Sequence, residues 1–277
     1  MKVTEATRDV FFLDERGKSE LRSFLSPSCF PEAISVFESM RTYKGVIFLL
    51  REHLDRLKKS AQTIGLKIPH PKPVLENFIF ESYAKTSFKE AFLRLTVLKD
   101  QVFLFIEPLI KKDLSQGVSI QVTSIKRNTS NSFAPEAKTS SYLNAVLARL
   151  EACEAHEVIF LNTQGFVAEG LISNLFMVKK SQLKTAPSVG ILDGLTRSFV
   201  IKLARSLKIN VEETWLTRHD LYNADEVFLT YSSAEIVPVR QIDGRMVGRV
   251  VPGIVTRQLK SAYQASVQTY VSKHKIH

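Results

Sequence analysis

The chain has only two cysteines, Cys29 and Cys153, too few for a four-thiolate metal site or a disulfide framework. Its histidines, His53, His70, His156, His219, His274 and His277, are scattered, and none has a partner at metal-ligand spacing. A metal centre is therefore not expected. Long hydrophobic runs are missing as well. The longest, VIFLL (46–50) and VFLFI (102–106), are strand-length, far short of the ~20 residues a bilayer-spanning helix needs. Met1 to Val10 carries charges of both signs and no apolar stretch of the kind a secretory signal requires. No membrane partner and a cytoplasmic location are the expectations. Internal repeats and low-complexity tracts are also absent.

What is present is an ordinary globular composition, 44% apolar and 24% charged over 277 residues, enough for two domains or one large α/β unit. The formal net charge of +10 leaves phosphate cofactors, acidic metabolites and nucleic acid open as anionic partners. Lysine and arginine are dispersed, however, with only short pairs such as Lys111-Lys112 and Lys179-Lys180. A nucleic-acid surface needs such charges gathered on one face with interleaved aromatics, so none is expected.

The pattern predicts a mixed α/β (α+β) chain. Val10 to Leu13 reads as a strand, followed by the turn DERGK. Residues 33–50 read as a hairpin around Gly45, with Ile34, Val36 and Met40 on one face and Phe37, Ser39, Arg41 and Tyr43 on the other. REHLDRLKKSAQTIGL reads as a helix with Leu54, Leu57, Ala61 and Ile64 as its buried stripe, ending near Gly65. Ala91–Val97 and Gln101–Ile106 form a second hairpin around Lys99-Asp100, placing Phe92, Arg94 and Thr96 together. After Val118–Ile125 comes a polar connection, RNTSNSFAPEA (127–137). It divides the chain into an N-terminal domain (1–123), a loop (124–137) and a C-terminal domain (138–277). The second half continues with a strand Glu157–Leu161, the turn NTQG, a strand from Phe166, SNLFMVKK, a helix near Thr196–Leu207 and a final strand EVFLTY (226–231).

One residue is oddly placed. In PEAKTSSYLNAVLARLEA (135–152), Leu143, Val146, Leu147 and Leu150 recur at helical spacing, and Lys138 falls at the start of that helix. A cation there opposes the helix dipole at a cost of ~0.3–1 kcal/mol. Either the lysine is solvated, or it works neutral or covalently bonded as a carbonyl-seeking nucleophile. Residue type alone leaves both open.

Five pieces stand in a common order: HLDRLKKSA (53–61), KTSSYLNAVLARLEA (138–152), EGLISNLF (169–176), GILDGLTR (190–197) and EVFLTYSSAEIVPV (226–239). Together they resemble the class IV, or fold-type IV, pyridoxal-phosphate enzymes, which include branched-chain and D-amino-acid aminotransferases and aminodeoxychorismate lyases. The resemblance runs from about Val36 to about Leu259. It implies a smaller N-terminal α/β domain, a larger C-terminal pseudo-barrel that binds the cofactor, and a homodimer.

By that resemblance Lys138 matches the Schiff-base lysine, which also moves the substrate proton. Glu169 matches the carboxylate that pairs with the cofactor ring nitrogen, and Tyr142 the tyrosine that bonds the ring oxygen. Arg56, the Leu195 and Thr196 backbone amides, the Thr196 hydroxyl and Ser232 match the phosphate ligands, in keeping with the free N–H groups of a helix start. Asn174 is read as fixing a turn. On the substrate side the resemblance implies Phe37 as a wall, Arg41 and Arg94 as carboxylate partners, and Ser233. The chain departs from the family at SPSCFPEAIS (26–35), where a Tyr-Gly or Gly-Asp element is usual, and at Tyr231-Ser232, where Gly-Thr or Ser-Thr is usual. LTVLKD lacks the arginine and histidine of D-amino-acid aminotransferases. The ending VGRVVPGIVTRQLKSAY (247–263) resembles that of aminotransferases. The implied activity is PLP-dependent amino transfer between a branched-chain or similar amino acid and a 2-oxo acid, with 4-amino-4-deoxychorismate lyase as the alternative.

Overall fold

The computed structural model describes residues 9–13, 17, 19–21, 35–99, 101–127, 134–140 and 143–274. Tyr142, Cys29, Ile34, Asp100, the atypical stretch 26–34 and linker residues 128–133 lie outside the described residues, as do most of the DERGK turn and Ser141. The chain divides into two compact units. Met1–Ile110, Ala137–Ser141 and Thr269–His277 form the first, and Lys111–Glu136 with Tyr142–Gln268 the second. Residues 111–123, which we expected in the N-terminal domain, thus group with the second unit, and Lys138 groups with the first.

The first unit contains β1 (Asp9–Leu13), β2 (Ser19–Leu21), β3 (Val36–Tyr43), β4 (Val46–Ile47), α1 (Leu50–Thr63), α2 (Lys72–Ala84), β5 (Ala91–Leu98) and β6 (Gln101–Pro108). The strands make one sheet in the order β2-β1-β6-β5-β3-β4. Leu50, Leu54 and Leu57 of α1 and Leu75, Phe78 and Ile79 of α2 join Met40, Leu93, Leu95 and Leu104 in one core. Each such side chain stabilises the fold by roughly 1.5–3 kcal/mol. Ala61 is buried as expected, Ile64 is partly buried, and Gly65 ends the helix at φ 69°, a conformation that costs glycine least.

The first hairpin is shorter than expected. Lys44 and Gly45, both at positive φ, make its turn, but β4 stops at Ile47 and Leu50 already begins α1. The end of the run VIFLL is buried as helix and turn, because an apolar run alone does not distinguish strand from helix. Helix α2 was not anticipated. Its apolar residues, Val74, Leu75, Phe78, Ile79 and Phe80, are spread more widely than a single stripe, and only Pro71 and Pro73 mark its start.

The second unit contains β7 (Val118–Lys126), α3 (Leu143–Glu151), β8 (Glu157–Leu161), β9 (Val167–Gly170), β10 (Asn174–Lys179), β11 (Gln182–Thr185) and α4 (Leu195–Ser206). These are followed by β12 (Val211–Glu213), α5 (Arg218–Tyr222), β13 (Glu226–Tyr231), β14 (Glu235–Ile242), β15 (Arg245–Met246) and α6 (Ile254–His274). Nine strands form one sheet, in the order β12-β11-β10-β13-β14-β7-β8-β9, with β15 on β14. Strand β9 ends that order, yet only residues 171–173 join it to β10, near the opposite end. The sheet therefore curls round on itself, enclosing Ile120, Ile159, Val167, Leu175, Met177, Leu229 and Val239.

One expectation fails here. EVFLTY is not the last strand, because β14 and β15 follow. Pro238 argues against a strand in the sequence, and β14 accommodates it by pairing with β7 only from Val239 onward. The apolar face of α3 is exposed, at 70% for Leu143, 53% for Val146, 43% for Leu147 and 71% for Leu150. Only Ala148 of that helix is buried. Among the described residues no helix is long and apolar enough to cross a membrane.

Candidate active site

Lys138 does not start a helix. Helix α3 begins five positions later, at Leu143, and the segment 137–140 lies along β3 as a short antiparallel addition, with Thr139 bridged to Val36. Phe37 N–H donates to the Lys138 carbonyl at 3.0 Å, Ser140 N–H to the Ser35 carbonyl at 3.0 Å, and Lys138 N–H to Ser60 Oγ of α1 at 3.0 Å. The lysine backbone is thus fixed by a strand on one side and a helix on the other.

The pleat of β3 and β5 sorts the neighbouring residues. Phe37, Ser39 and Arg41 pair in register with Thr96, Arg94 and Phe92, so Phe37, Arg41 and Arg94 share one face. The Phe37 ring meets two cations there, the Arg94 guanidinium 3.9 Å and the Lys138 amine 4.6 Å from its centroid. Arg41 is buried, with its guanidinium 4.0 Å from the Tyr43 ring and 3.5 Å from Glu90.

The opposite face of β3 carries Glu38, which sequence reasoning missed. It is fully buried and faces α1. Arg56 Nε and Nη2 donate to its two oxygens at 2.7 Å each, and His53 Nδ1 lies 2.6 Å from Oε2. Arg56 therefore flanks the leucine stripe of α1. Burial alone would raise the Glu38 carboxyl, but the Arg56 charge and the bonds from Arg56 and His53 bring it down to about 2. For His53 burial dominates and lowers the imidazole, so it is neutral and donates from Nδ1.

In the second unit Glu169 is buried near the end of β9. Arg127 Nε donates to its Oε1 at 2.7 Å, and the Leu192 amide to Oε2 at 3.1 Å. Asn174 Nδ2 lies 3.4 Å from the same Oε2 and donates to the Leu192 carbonyl at 2.9 Å, tying the carboxylate to the loop before α4. Arg127 went unread because it follows β7 in a polar stretch where no motif marks it. The turn between β9 and β10 has its own support. Buried Glu157 accepts from the Leu171 and Ile172 amides at 3.3 and 3.2 Å and from Ser173 Oγ at 2.8 Å. Burial raises this carboxyl above its ordinary range.

Helix α4 begins at Gly194 with no side-chain cap, which leaves its first amides as donors. A Cβ on Gly194 would overlap Asn174 Oδ1, so only glycine fits. Thr196 is buried and Leu195 partly so. Ser232 and Ser233 sit in the three-residue turn between β13 and β14, closed by Ala234 N–H donating to the Tyr231 carbonyl at 3.2 Å. The bulky Tyr231 does not disrupt that turn. Its ring packs against the core and its hydroxyl lies 3.1 Å from His156 Nε2. Burial, then the Glu157 charge, pushes the phenol up to about 12, so it stays protonated.

Residues 35–242 match the family model of amino-transferase class IV. A Methanocaldococcus jannaschii protein provisionally named branched-chain-amino-acid aminotransferase is 38% identical over 83% of this chain and 85% of its own length. The solved branched-chain aminotransferase of Thermoproteus uzoniensis, in a structure with norvaline, superposes with a TM-score of 0.85. It is 31% identical and is matched over 95% of this chain and 97% of that one. The enzyme of the same name from Thermobaculum terrenum, solved in its PLP form, gives a TM-score of 0.85 at 26% identity over 96% and 95%. The curled sheet, the five sequence pieces and these likenesses agree: the chain is an enzyme of the class IV aminotransferase family.

Proposed function

We propose that this aminotransferase holds pyridoxal 5′-phosphate and moves an amino group between a branched-chain or similar amino acid and a 2-oxo acid. The observation that carries this reading is the Phe37 ring shared by the Lys138 amine and the Arg94 guanidinium. An amino acid presents a reacting carbon one bond from a carboxylate, and an amine beside an arginine can attend to both. The relatives named for branched-chain aminotransfer favour this reading over the lyase alternative.

The second unit has groups that fit the cofactor. The uncapped start of α4 and a buried Thr230 hydroxyl without a hydrogen-bond partner suit a phosphate. The buried Glu169 carboxylate suits a ring nitrogen that must keep its proton. When bound, the cofactor supplies the sink for the electron pair left at the substrate α-carbon. Lys138 would hold the cofactor and would take and return the α-carbon proton. Glu169, oriented by Arg127 and Asn174, holds the ring nitrogen. The Leu195 and Thr196 amides, the Thr196 and Ser232 hydroxyls and Arg56 hold the phosphate, and Tyr142 bonds the ring oxygen. Phe37 forms a wall, Arg94 takes the substrate carboxylate, and Arg41 and Ser233 border the substrate.

The exposed stripe of α3 supports a homodimer, since contiguous apolar surface of this kind marks an interaction face. We place the enzyme in the cytoplasm, without nucleic-acid or membrane partners, and assign the cofactor chiefly to the domain following the 124–137 connection. An amino-donor screen with 2-oxoglutarate tests the activity. Glutamate formed with leucine, isoleucine or valine supports the assignment. Pyruvate and 4-aminobenzoate released from aminodeoxychorismate, without keto-acid-dependent glutamate, would replace it with the lyase.

A further inference from the structure

Thr230 is the second-to-last residue of β13, 2% exposed, and its Oγ1 is buried without a hydrogen-bond partner. A buried hydroxyl in that state costs free energy, so its retention calls for a ligand. The pleat shows where the group lies. Val227 and Leu229 face the core enclosed by the curled sheet, so Phe228 and Thr230 face the other way, Phe228 stacking on Phe176 of β10 at 5.0 Å.

The register partner of Thr230 on β10 is Asn174. Side chains paired in this way stand on one face with Cβ atoms ~4.5–5.5 Å apart. Asn174 in turn reaches the start of α4, donating to the Leu192 carbonyl at 2.9 Å and touching Gly194 so closely that no Cβ fits. The unpartnered hydroxyl therefore stands beside the uncapped first turn of a 12-residue helix.

We propose that Thr230 is a further ligand of the phosphate monoester at this helix start, its Oγ–H donating to a phosphate oxygen that also receives the α4 amides. The proposal rests on the cofactor reading above and adds to it a residue that lies outside the Leu195-Thr196 and Ser232 pieces.

Thr230→Val keeps the volume and removes the hydroxyl, and Thr230→Ser keeps the hydroxyl. Cofactor-stripped protein would be titrated with pyridoxal phosphate and, separately, with pyridoxal, which lacks the phosphate; melting would be followed with and without each ligand. The expected result is a roughly tenfold weaker affinity of Thr230→Val for pyridoxal phosphate, unchanged affinity for pyridoxal, and near wild-type behaviour of Thr230→Ser. The ligand-free valine variant should melt no lower than wild type, because an apolar group replaces an unsatisfied polar one. Equal affinity of wild type and valine variant for pyridoxal phosphate, or equal weakening toward both ligands, overturns the proposal. A wild-type chain that binds neither ligand overturns the cofactor reading and this inference with it, a failure visible without any variant.

Discussion

Glu38 and Arg56 meet edge to edge, two nitrogens of the guanidinium on two oxygens of a carboxylate with no exposure to solvent, each at 2.7 Å. A pair of this kind is costly to break, because one charge is left behind in a low-dielectric setting. The Glu38→Gln variant should lose about 3 kcal/mol of stability, within the range for removing one partner of a buried pair. Urea unfolding at neutral pH checks this. The pH dependence has a definite sign. The folded carboxyl lies at about 2, below its ordinary 4.5, so its contribution is present above 4.5 and fades as pH falls toward 2. His53 acts in the same direction, since its lowered value means the unfolded chain binds the proton first, below about 6.5. Wild-type stability should decline on acidification through this whole window, and Glu38→Gln should remove the lower part of the decline.

Arg127 is the ion-pair partner of Glu169, with its side chain 24% exposed, so its effect should fall on function more than on folding. In Arg127→Met, kcat for amino transfer is expected to drop roughly 10- to 100-fold, equivalent to ~1.4–2.7 kcal/mol of barrier. The melting temperature should change little. Steady-state kinetics beside calorimetry separate the two, and an unchanged kcat would show that Asn174 and the Leu192 amide orient the carboxylate unaided.

The purified enzyme should be yellow, and borohydride should fix the cofactor to a single lysine. With Lys138→Ala no covalent adduct is expected, and mass spectrometry of the intact chain reads the difference directly. A labelled peptide that excludes residue 138 would move the assignment elsewhere.

The stripe on α3 makes a prediction about assembly. Replacing Leu147 with Asp and Leu150 with Glu alters side chains that contribute little burial within one chain, so the fold should survive. Light scattering is expected to give a dimer for the wild type and a monomer for the double variant. A monomeric wild type would remove the homodimer from the functional reading.

The strand face around Phe37 could be read from the sequence because alternation reports local geometry. Alternation placed Phe37 and Arg41 on one strand face and Arg94 on its neighbour, and the register bears that out. Glu38 escaped notice because a carboxylate among apolar neighbours has meaning only once α1 presents Arg56 and His53 to it. The helix assigned to Lys138 failed for a related reason. The apolar period of Leu143 to Leu150 is real, but neither the start of the helix nor the side that packs follows from it. Pro238 masked a strand, and the diffuse apolar pattern of Lys72–Ala84 masked a helix.

The seating of Lys138 has a consequence for how this enzyme can vary. A side chain on a segment laid along a strand points to one side or the other in strict alternation, so a slip of one position against Val36 would send the amine to the wrong side altogether. Placement here is all-or-none. Single-residue insertions or deletions between Ala137 and Ser140 should therefore be far less tolerable than any substitution there, whereas a lysine on a helix could drift by degrees.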